Sequence, residues 1–280
     1  MKWEFEDKAA KGKFMISTGD PSLKGRGLLN GRKEMINTIV LNTGSEQQVT
    51  IDKITYTMPA DAILPLVANQ TFSFEQPEDL VAWQFNREFY CIVDHDAEVG
   101  CVGFLFYGIQ HPFFIRLSPE EKGCISLIQN QCIDDMLIED KMQGEMLRTL
   151  LKRLIINITR VAKQQTDNYR QQGPDRMEII RKFSLLLEIN FRTRHEVQFY
   201  ARSMNKSPKT LANLFGLCNY PSPSELIRQR ILLEAKRYLY FSDKSAKEVA
   251  EDLGFTSSAH FSRFFKAGTG RNFSEYKVMA

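Results

Sequence analysis

The spacing of apolar positions divides this 280-residue chain into a strand-like first part and a helical remainder. Up to about Leu117, short β-branched runs such as Thr38-Ile39-Val40-Leu41, Val49-Thr50-Ile51 and Ile54-Thr55-Tyr56-Thr57 alternate with turn residues. The separators include Asn42-Thr43-Gly44, Pro59-Ala60-Asp61 and Gln76-Pro77-Glu78-Asp79. Runs of that length between such residues predict strands, and many of them together predict a small sandwich or barrel. Phe104-Leu105-Phe106-Tyr107 reads as one more strand, ended by Gly108. The period changes at Ser118-Pro119-Glu120-Glu121, an N-cap followed by proline at the first helical position and an acidic first turn. Leu147, Leu150, Leu151, Leu154, Ile155, Ile158 and Val161 then recur at helical spacing. Residues 119–163 therefore predict two helices with a break near Gly144, whose apolar stripe packs either on the β-rich part or on a second copy of the chain. Residues 164–174 carry almost no apolar side chain, end in Gly173-Pro174 and read as a linker. Everything after them is helical in pattern.

Within that last part a pattern occurs twice. Ser207-Pro208-Lys209-Thr210-Leu211-Ala212-Asn213-Leu214-Phe215 and Ser257-Ser258-Ala259-His260-Phe261-Ser262-Arg263-Phe264-Phe265 lie fifty residues apart. Each opens on serine and places large apolar residues four, seven and eight positions on, as in a serine-capped helix with one buried face. Ser224-Glu225-Leu226 and Ser274-Glu275-Tyr276 keep the same offset, which marks a structural repeat. Before each helix comes another apolar segment with a small residue, Ala201 or Ala250, followed four positions later by Asn205 or Gly254. Asparagine and glycine tolerate a left-handed turn best, so each unit reads as helix, tight turn, helix. Between the units, Leu226, Ile227, Ile231, Leu232, Ala235, Leu239 and Tyr240 predict a connecting helix of roughly eighteen residues, about 27 Å long. Successive major grooves on one face of DNA lie about 34 Å apart, so such a rod suits two recognition helices in adjacent grooves.

Charge supports this division. Residues 175–280 hold 18 Lys or Arg against 11 Asp or Glu, a net +7, whereas the rest of the chain is −4 within a total of +3. A basic segment behind an acidic one is the footprint of a nucleic-acid-binding domain joined to something else. Apolar content of 43% and charged content of 25% belong to ordinary globular domains, and no window of eighteen apolar residues offers a membrane span. The acidic start, Met1-Lys2-Trp3-Glu4-Phe5-Glu6-Asp7, does not resemble a secretory signal, which points to a cytoplasmic protein, nucleoid-associated when on DNA. Five cysteines, an odd number, argue for reduced thiols, most of them small apolar fillers.

The stretch Ala250-Glu251-Asp252-Leu253-Gly254-Phe255-Thr256-Ser257-Ser258-Ala259-His260-Phe261-Ser262-Arg263-Phe264-Phe265-Lys266 resembles the signature of the AraC/XylS family of bacterial transcription regulators. The resemblance covers about 105 residues at the C-terminal end. It implies an α+β protein of two domains: residues 1–118 as a β-rich, cupin-like sensor barrel followed by helices at 119–163, a linker at 164–174, and residues 175–280 as an all-α domain with two helix-turn-helix units joined by a linker helix. It also implies sequence-specific binding of double-stranded DNA. The outward positions of the second helices, Lys209, Thr210, Ala212 and Asn213 in the first unit and Ser258, Ala259, Ser262 and Arg263 in the second, are then the candidate base readers. Arginine suits guanine and asparagine adenine. Lys206, Ser207, Ser257, His260 and Lys266, near helix ends, are candidate backbone contacts. The first unit departs from the family pattern, with Asn213 where Arg is common, Gly216 where Lys is common, and Tyr220 where Gly usually ends the helix.

For the first domain the residues leave alternatives. Cys91, His95 and Cys101 form a C-x3-H-x5-C set that could bind a soft metal or sense oxidation, or the cysteines are core residues on two paired strands with Asp94-His95-Asp96 at their turn. Trp83, Phe85, Phe89, Tyr90, Phe104, Phe106 and Tyr107 could line an apolar effector pocket with Glu98, Arg87 and Asn86 as polar contacts, or form plain core. With only His95 and His111 outside the last domain, a metal enzyme of the cupin type lacks ligands, so no enzyme and no cofactor are expected. The expected partners are DNA, a second copy of the chain through residues 119–163, a small-molecule effector, and RNA polymerase if the protein activates; no membrane is expected. The alternatives are a regulator controlled by abundance or by a protein partner, and a metal or redox sensor.

Overall fold

The computed structural model describes residues 1–24, 36–52, 54–68, 70–92, 94–95, 105–106, 112–165, 174–218, 220–242, 244–273 and 275. They fall into two units, Met1–Arg170 and Gln171–Ala280.

In the first unit nine strands form two antiparallel sheets among the described residues: β1 (Lys2–Asp7), β2 (Gly12–Thr18), β3 (Ile36–Asn42), β4 (Gln47–Ile51), β5 (Ile54–Met58), β6 (Ala62–Leu66), β7 (Phe72–Phe74), β8 (Leu80–Asn86) and β9 (Ile115–Arg116). The larger sheet runs β1-β2-β8-β3-β6-β9 and the smaller β5-β4-β7. One face of the larger sheet, carrying Val40, Leu64, Leu66, Leu80 and Ala82, packs on Val49, Ile51, Phe72 and Phe74 of the smaller. The other face carries Phe14, Ile16, Ile39, Trp83 and Phe85, also buried. Burial on both faces explains why β3 and β8 read as nearly continuous apolar runs. Asp52 and Asp61, both at positive φ, turn the chain after β4 and before β6. The expected strand at 104–107 is not found at its two described residues. Leu105 and Phe106 lie in a turn and a bend, while Phe104 and Tyr107 fall outside the described residues.

Helix α1 (Pro119–Met136) begins as the sequence implies. Ser118 Oγ accepts from Glu121 N at 3.3 Å, and Glu121 accepts in return from Ser118 N at 2.7 Å. The break falls at 137–142, just before Gly144, which lies in the first turn of α2 (Gln143–Gln165), where a Cβ would come within 3.1 Å of the Phe5 ring. Gln143 explains the position: its side chain donates to the carbonyls of Asp135 and Met136 and so closes α1 where no glycine does. The stripe Leu147, Leu150, Leu151, Leu154, Ile155, Ile158 and Val161 is buried within the unit. The helix continues through Gln165, past the expected start of the linker; residues 166–173 lie outside the described residues.

The second unit is helical: α3 (Pro174–Asn190), α4 (Val197–Ser203), α5 (Pro208–Leu217), α6 (Pro223–Phe241), α7 (Ala246–Asp252) and α8 (Ser258–Thr269). Ile227, Ile231, Leu232, Ala235 and Leu239 form the buried face of α6, whose 19 residues give a rod of about 28 Å. No helix among the described residues is long and apolar enough to cross a membrane.

Candidate nucleic-acid interface

Helices α4 and α5 form one unit and α7 and α8 the other, and their turns are built alike. Asn205 takes φ 52° and Gly254 φ 70°. In the first turn Lys206 N reaches back to Ala201 O at 2.9 Å and Asn205 N to Arg202 O at 3.0 Å. In the second, Phe255 N bonds Ala250 O at 2.9 Å and Gly254 N bonds Glu251 O at 3.0 Å. This is the left-handed helix ending in which the two residues after the cap satisfy otherwise orphaned carbonyls. The alanines that accept these bonds are buried, Ala201 at 0% and Ala250 at 2%, where a larger side chain would hold the helices apart.

The offset between the copies is not uniform. α4 and α7 stand 49 residues apart in sequence, from Val197 to Ala246, whereas the N-caps Ser207 and Ser257 stand 50 apart. One extra residue lies in the second turn, between Gly254 and Ser257. Both serines cap: Ser207 Oγ accepts from Thr210 N at 3.0 Å and Ser257 Oγ from His260 N at 3.2 Å. Leu211 and Phe215 are buried in α5, and Phe261 and Phe265 occupy the matching positions of α8. Leu214 and Phe264 are only half-buried.

With those residues inward, the candidate contact residues stand outward. Ser207, Lys209, Thr210, Ala212 and Asn213 are exposed in the first unit, and Lys206 is half-buried. Ser257, Ser258, Ala259, His260, Arg263 and Lys266 are exposed in the second, and Ser262 is half-buried. Not all are equally available. The Ser207 and Thr210 hydroxyls bond each other at 2.8 Å, and the His260 ring lies edge-on to Phe255 at 5.4 Å. Lys209 and Arg263 are exposed, and neither they nor Lys206 form an ion pair with another described residue. Such a surface offers cations, hydroxyls and an amide to phosphates and base edges.

What the sequence reading missed lies behind this surface. Arg230 on α6 donates to Glu188 of α3 at 2.6 Å and to Glu234 at 2.8 Å, with its guanidinium 3.8 Å from the Phe191 ring centre. The two carboxylates hold Arg230 more firmly protonated than usual against the opposing effect of its burial. Arg192 donates to the other oxygen of Glu234 at 2.6 Å. Arg230 and Glu234, four residues apart on α6, look like a solvated pair in sequence, and only their sharing one helix face with Ile227 and Ile231 hints otherwise. His195 was missed too. Its ring packs tilted against Phe255 at 4.8 Å, its Nε2 is buried with no hydrogen-bond partner, and burial pushes its pKa below the ordinary value.

The first unit answers less. Cys91 follows β8 outside any strand, so the expectation of two cysteines on paired strands is not met for it; Cys101 lies outside the described residues. His95 stacks on Tyr90 at 4.6 Å, and its backbone N–H bonds Cys91 O at 3.2 Å. No group of three metal-binding side chains occurs among the described residues. Cys132 and Cys218 are buried fillers, whereas Cys124 is exposed. Burial raises the Cys132 thiol to about 12, too high for a thiolate at neutral pH. Trp83, Phe85, Phe89, Tyr90 and Phe106 are all buried core. Asn86 is no free polar contact: its amide binds Lys13 N, Phe89 N and Lys11 O. Arg87 is exposed, and Glu98 lies outside the described residues.

Comparison with known proteins agrees with the geometry of the second unit. Residues 200–278 match a family model described as a helix-turn-helix domain. The HTH-type transcriptional regulator ExsA of Pseudomonas aeruginosa is 27% identical over 107 residues, covering 35% of this chain and 38% of that protein. The raffinose operon transcriptional regulatory protein RafR of Pediococcus pentosaceus is 26% identical over 145 residues, covering 52% of this chain and 50% of its own length. The chain thus spans half or less of the curated relatives it matches, and both are named as regulators rather than enzymes. Among solved structures, ToxT of Vibrio cholerae aligns over 100% of this chain and 97% of its own, at 13% identity and a TM-score of 0.42. Two helix-turn-helix units of one build on a shared helix, and the match over residues 200–278, make the C-terminal part of this chain a helix-turn-helix domain of the AraC type.

Proposed function

We propose that the protein is a cytoplasmic, sequence-specific DNA-binding transcription regulator that reads two successive major grooves with α5 and α8. The observation that carries this reading is the repeated build: the same left-handed turn, the same serine cap and the same outward face in two units of one chain. In this reading Lys209, Thr210, Ala212, Asn213, Ser258, Ala259, Ser262 and Arg263 meet base edges. Lys206, Ser207, Ser257, His260 and Lys266 hold the phosphate backbone. Residues 1–118 act as a cupin-like sensor of a small molecule. Residues 119–163 pair with a second copy, a role supported by the exposed Leu127, Leu137, Ile138, Met142 and Met146 on α1, α2 and their connection.

Selection of duplexes from a random library by the full chain, followed by footprinting, tests the core of the reading. The expected result is an enriched sequence with two protected stretches about 10 base pairs apart on one face. Equal binding to all duplexes, or a single protected groove, would overturn it. Sedimentation of the protein tests the dimer, and a metabolite-induced rise in thermal stability tests the sensor.

A further inference from the structure

The cluster around Arg230 sits where three parts of the second unit converge. Glu188 belongs to the last turn of α3, which leads through Phe191, Arg192 and Thr193 into the first helix-turn-helix unit. Arg230 and Glu234 lie at the middle of α6, one helical turn apart. The second unit's turn meets the same place, because Gly254 packs so closely on the Arg192 carbonyl that a Cβ there would overlap it. Polar links run outward from this point to both units. Tyr200 of α4 donates to Arg194 O at 2.6 Å and feels the charge of Glu188. Tyr238 of α6 bonds Asp252 of α7, which also pairs with Lys244, and it faces both Arg192 and Glu234.

The side chains of Arg230, Glu188 and Glu234 are 10%, 13% and 8% exposed, so the cluster is built into the interior rather than laid on the surface. Burying such charges brings little net stability, since desolvation offsets most of the attraction. What the cluster supplies is direction. A guanidinium forked between two carboxylates and stacked on a ring has one acceptable geometry, whereas an apolar contact of equal volume tolerates sliding and rotation. We propose that Arg230 is a positioning residue: with Glu188, Glu234 and Arg192 it fixes the angle and separation of the two recognition helices, and so sets the spacing between half-sites that the domain accepts. The proposal rests on the two-groove reading given above. One added base pair moves the second groove by about 3.4 Å and turns it by about 35°. A locked linker helix rejects that change and a loosened one absorbs it.

The test uses the full chain and the duplexes that the native protein itself selects from a random library, remade with one base pair added or removed between the protected stretches. The native protein should lose at least about tenfold in affinity on re-spaced duplexes. The triple variant Glu188→Gln, Arg230→Met, Glu234→Gln removes every charge that faces Arg230 directly and leaves none of the three unpaired, so it should stay helical and bind a single half-site like the native protein. Its loss on re-spaced duplexes should shrink below about threefold. Arg230→Lys, which keeps the charge but not the fork or the ring stack, should fall between and covers the case in which the triple variant does not fold. A folded triple variant, or Arg230→Lys alone, that keeps the full tenfold discrimination overturns the proposal. A native protein that binds one half-site as tightly as two overturns the two-groove reading instead, and the proposal with it.

Discussion

The two helix-turn-helix units share a plan, yet they solve the same turn with different residues, and the surroundings explain why. Asn205 and Gly254 both take the left-handed conformation. Asn205 is exposed, so its position demands only a residue that tolerates positive φ. Gly254 lies against the backbone of Arg192 and Thr193, so its position also excludes a Cβ. The recognition helices differ as well. α5 spans 10 residues and ends at Cys218 with φ −93°, whereas α8 spans 12 and ends on Gly270 at φ 78°. Around α8 the rings of Phe255, Phe261, Phe265 and Phe273 pack edge-on at 5.2–5.3 Å. The second unit is thus tied into its domain at its turn, through Gly254 on the Arg192 backbone.

The largest expected effect breaks that difference directly. Gly254→Ala adds backbone strain and an overlap with a carbonyl, together about 2–5 kcal/mol. Asn205→Ala adds the strain alone, about 1–2 kcal/mol. Urea unfolding of both variants, followed by helical circular dichroism, measures the two costs. Their difference is the contribution of the Arg192 contact, and equal costs would remove that contact from the account.

Next comes DNA. Arg263→Ala is expected to cost roughly 1–3 kcal/mol on the selected duplex and to relax preference at one base pair. Asn213→Ala, on the shorter and less anchored α5, should cost less. Competition binding against single-base variants of the duplex decides; a larger loss for Asn213→Ala would make the first unit the firmer reader. Lys266→Ala should weaken all sequences alike and lower the slope of log affinity against log salt by about one. An unchanged slope would take Lys266 off the phosphate backbone.

Much of the second unit was legible because local rules fix it. Serine caps, a buried face every three or four residues, and a left-handed turn residue are all short-range signals, and α6 begins at Pro223 as its pattern implies. The one-residue slip between the repeats was less visible, because comparing serine with serine hides an insertion inside the turn. The Arg230 cluster was not legible at all, since Glu188 and Arg192 are 42 residues from Arg230 and Glu234 respectively. In the first unit, β3, β4 and β5 were readable from β-branched runs. β1 and β2 were passed over, since both lack β-branched runs; Lys2–Asp7 nonetheless alternates charged and aromatic residues with the period of a strand, and Gly12–Thr18 mixes polar and apolar positions.

The mildest lever is pH, and it acts within the C-terminal unit, where the loop before α4 meets the turn of the second helix-turn-helix. His195 packs tilted against Phe255 with Nε2 enclosed, and burial holds its pKa below that of the unfolded chain, opposed by backbone bonds at Leu253 and Phe191 and the charge of Glu196, and reinforced by His260. The folded state therefore favours the neutral ring. Between the folded pKa and the unfolded value near 6.5, the unfolded chain binds more protons, so stability rises with pH there. The contribution is complete above the unfolded value and is lost as pH falls through the folded one. His195→Phe keeps an aromatic ring against Phe255 and has no proton to take up. Unfolding midpoints measured from pH 7 downward should fall less steeply for this variant than for the native chain, and parallel profiles would show that the loss at acid pH belongs to other groups.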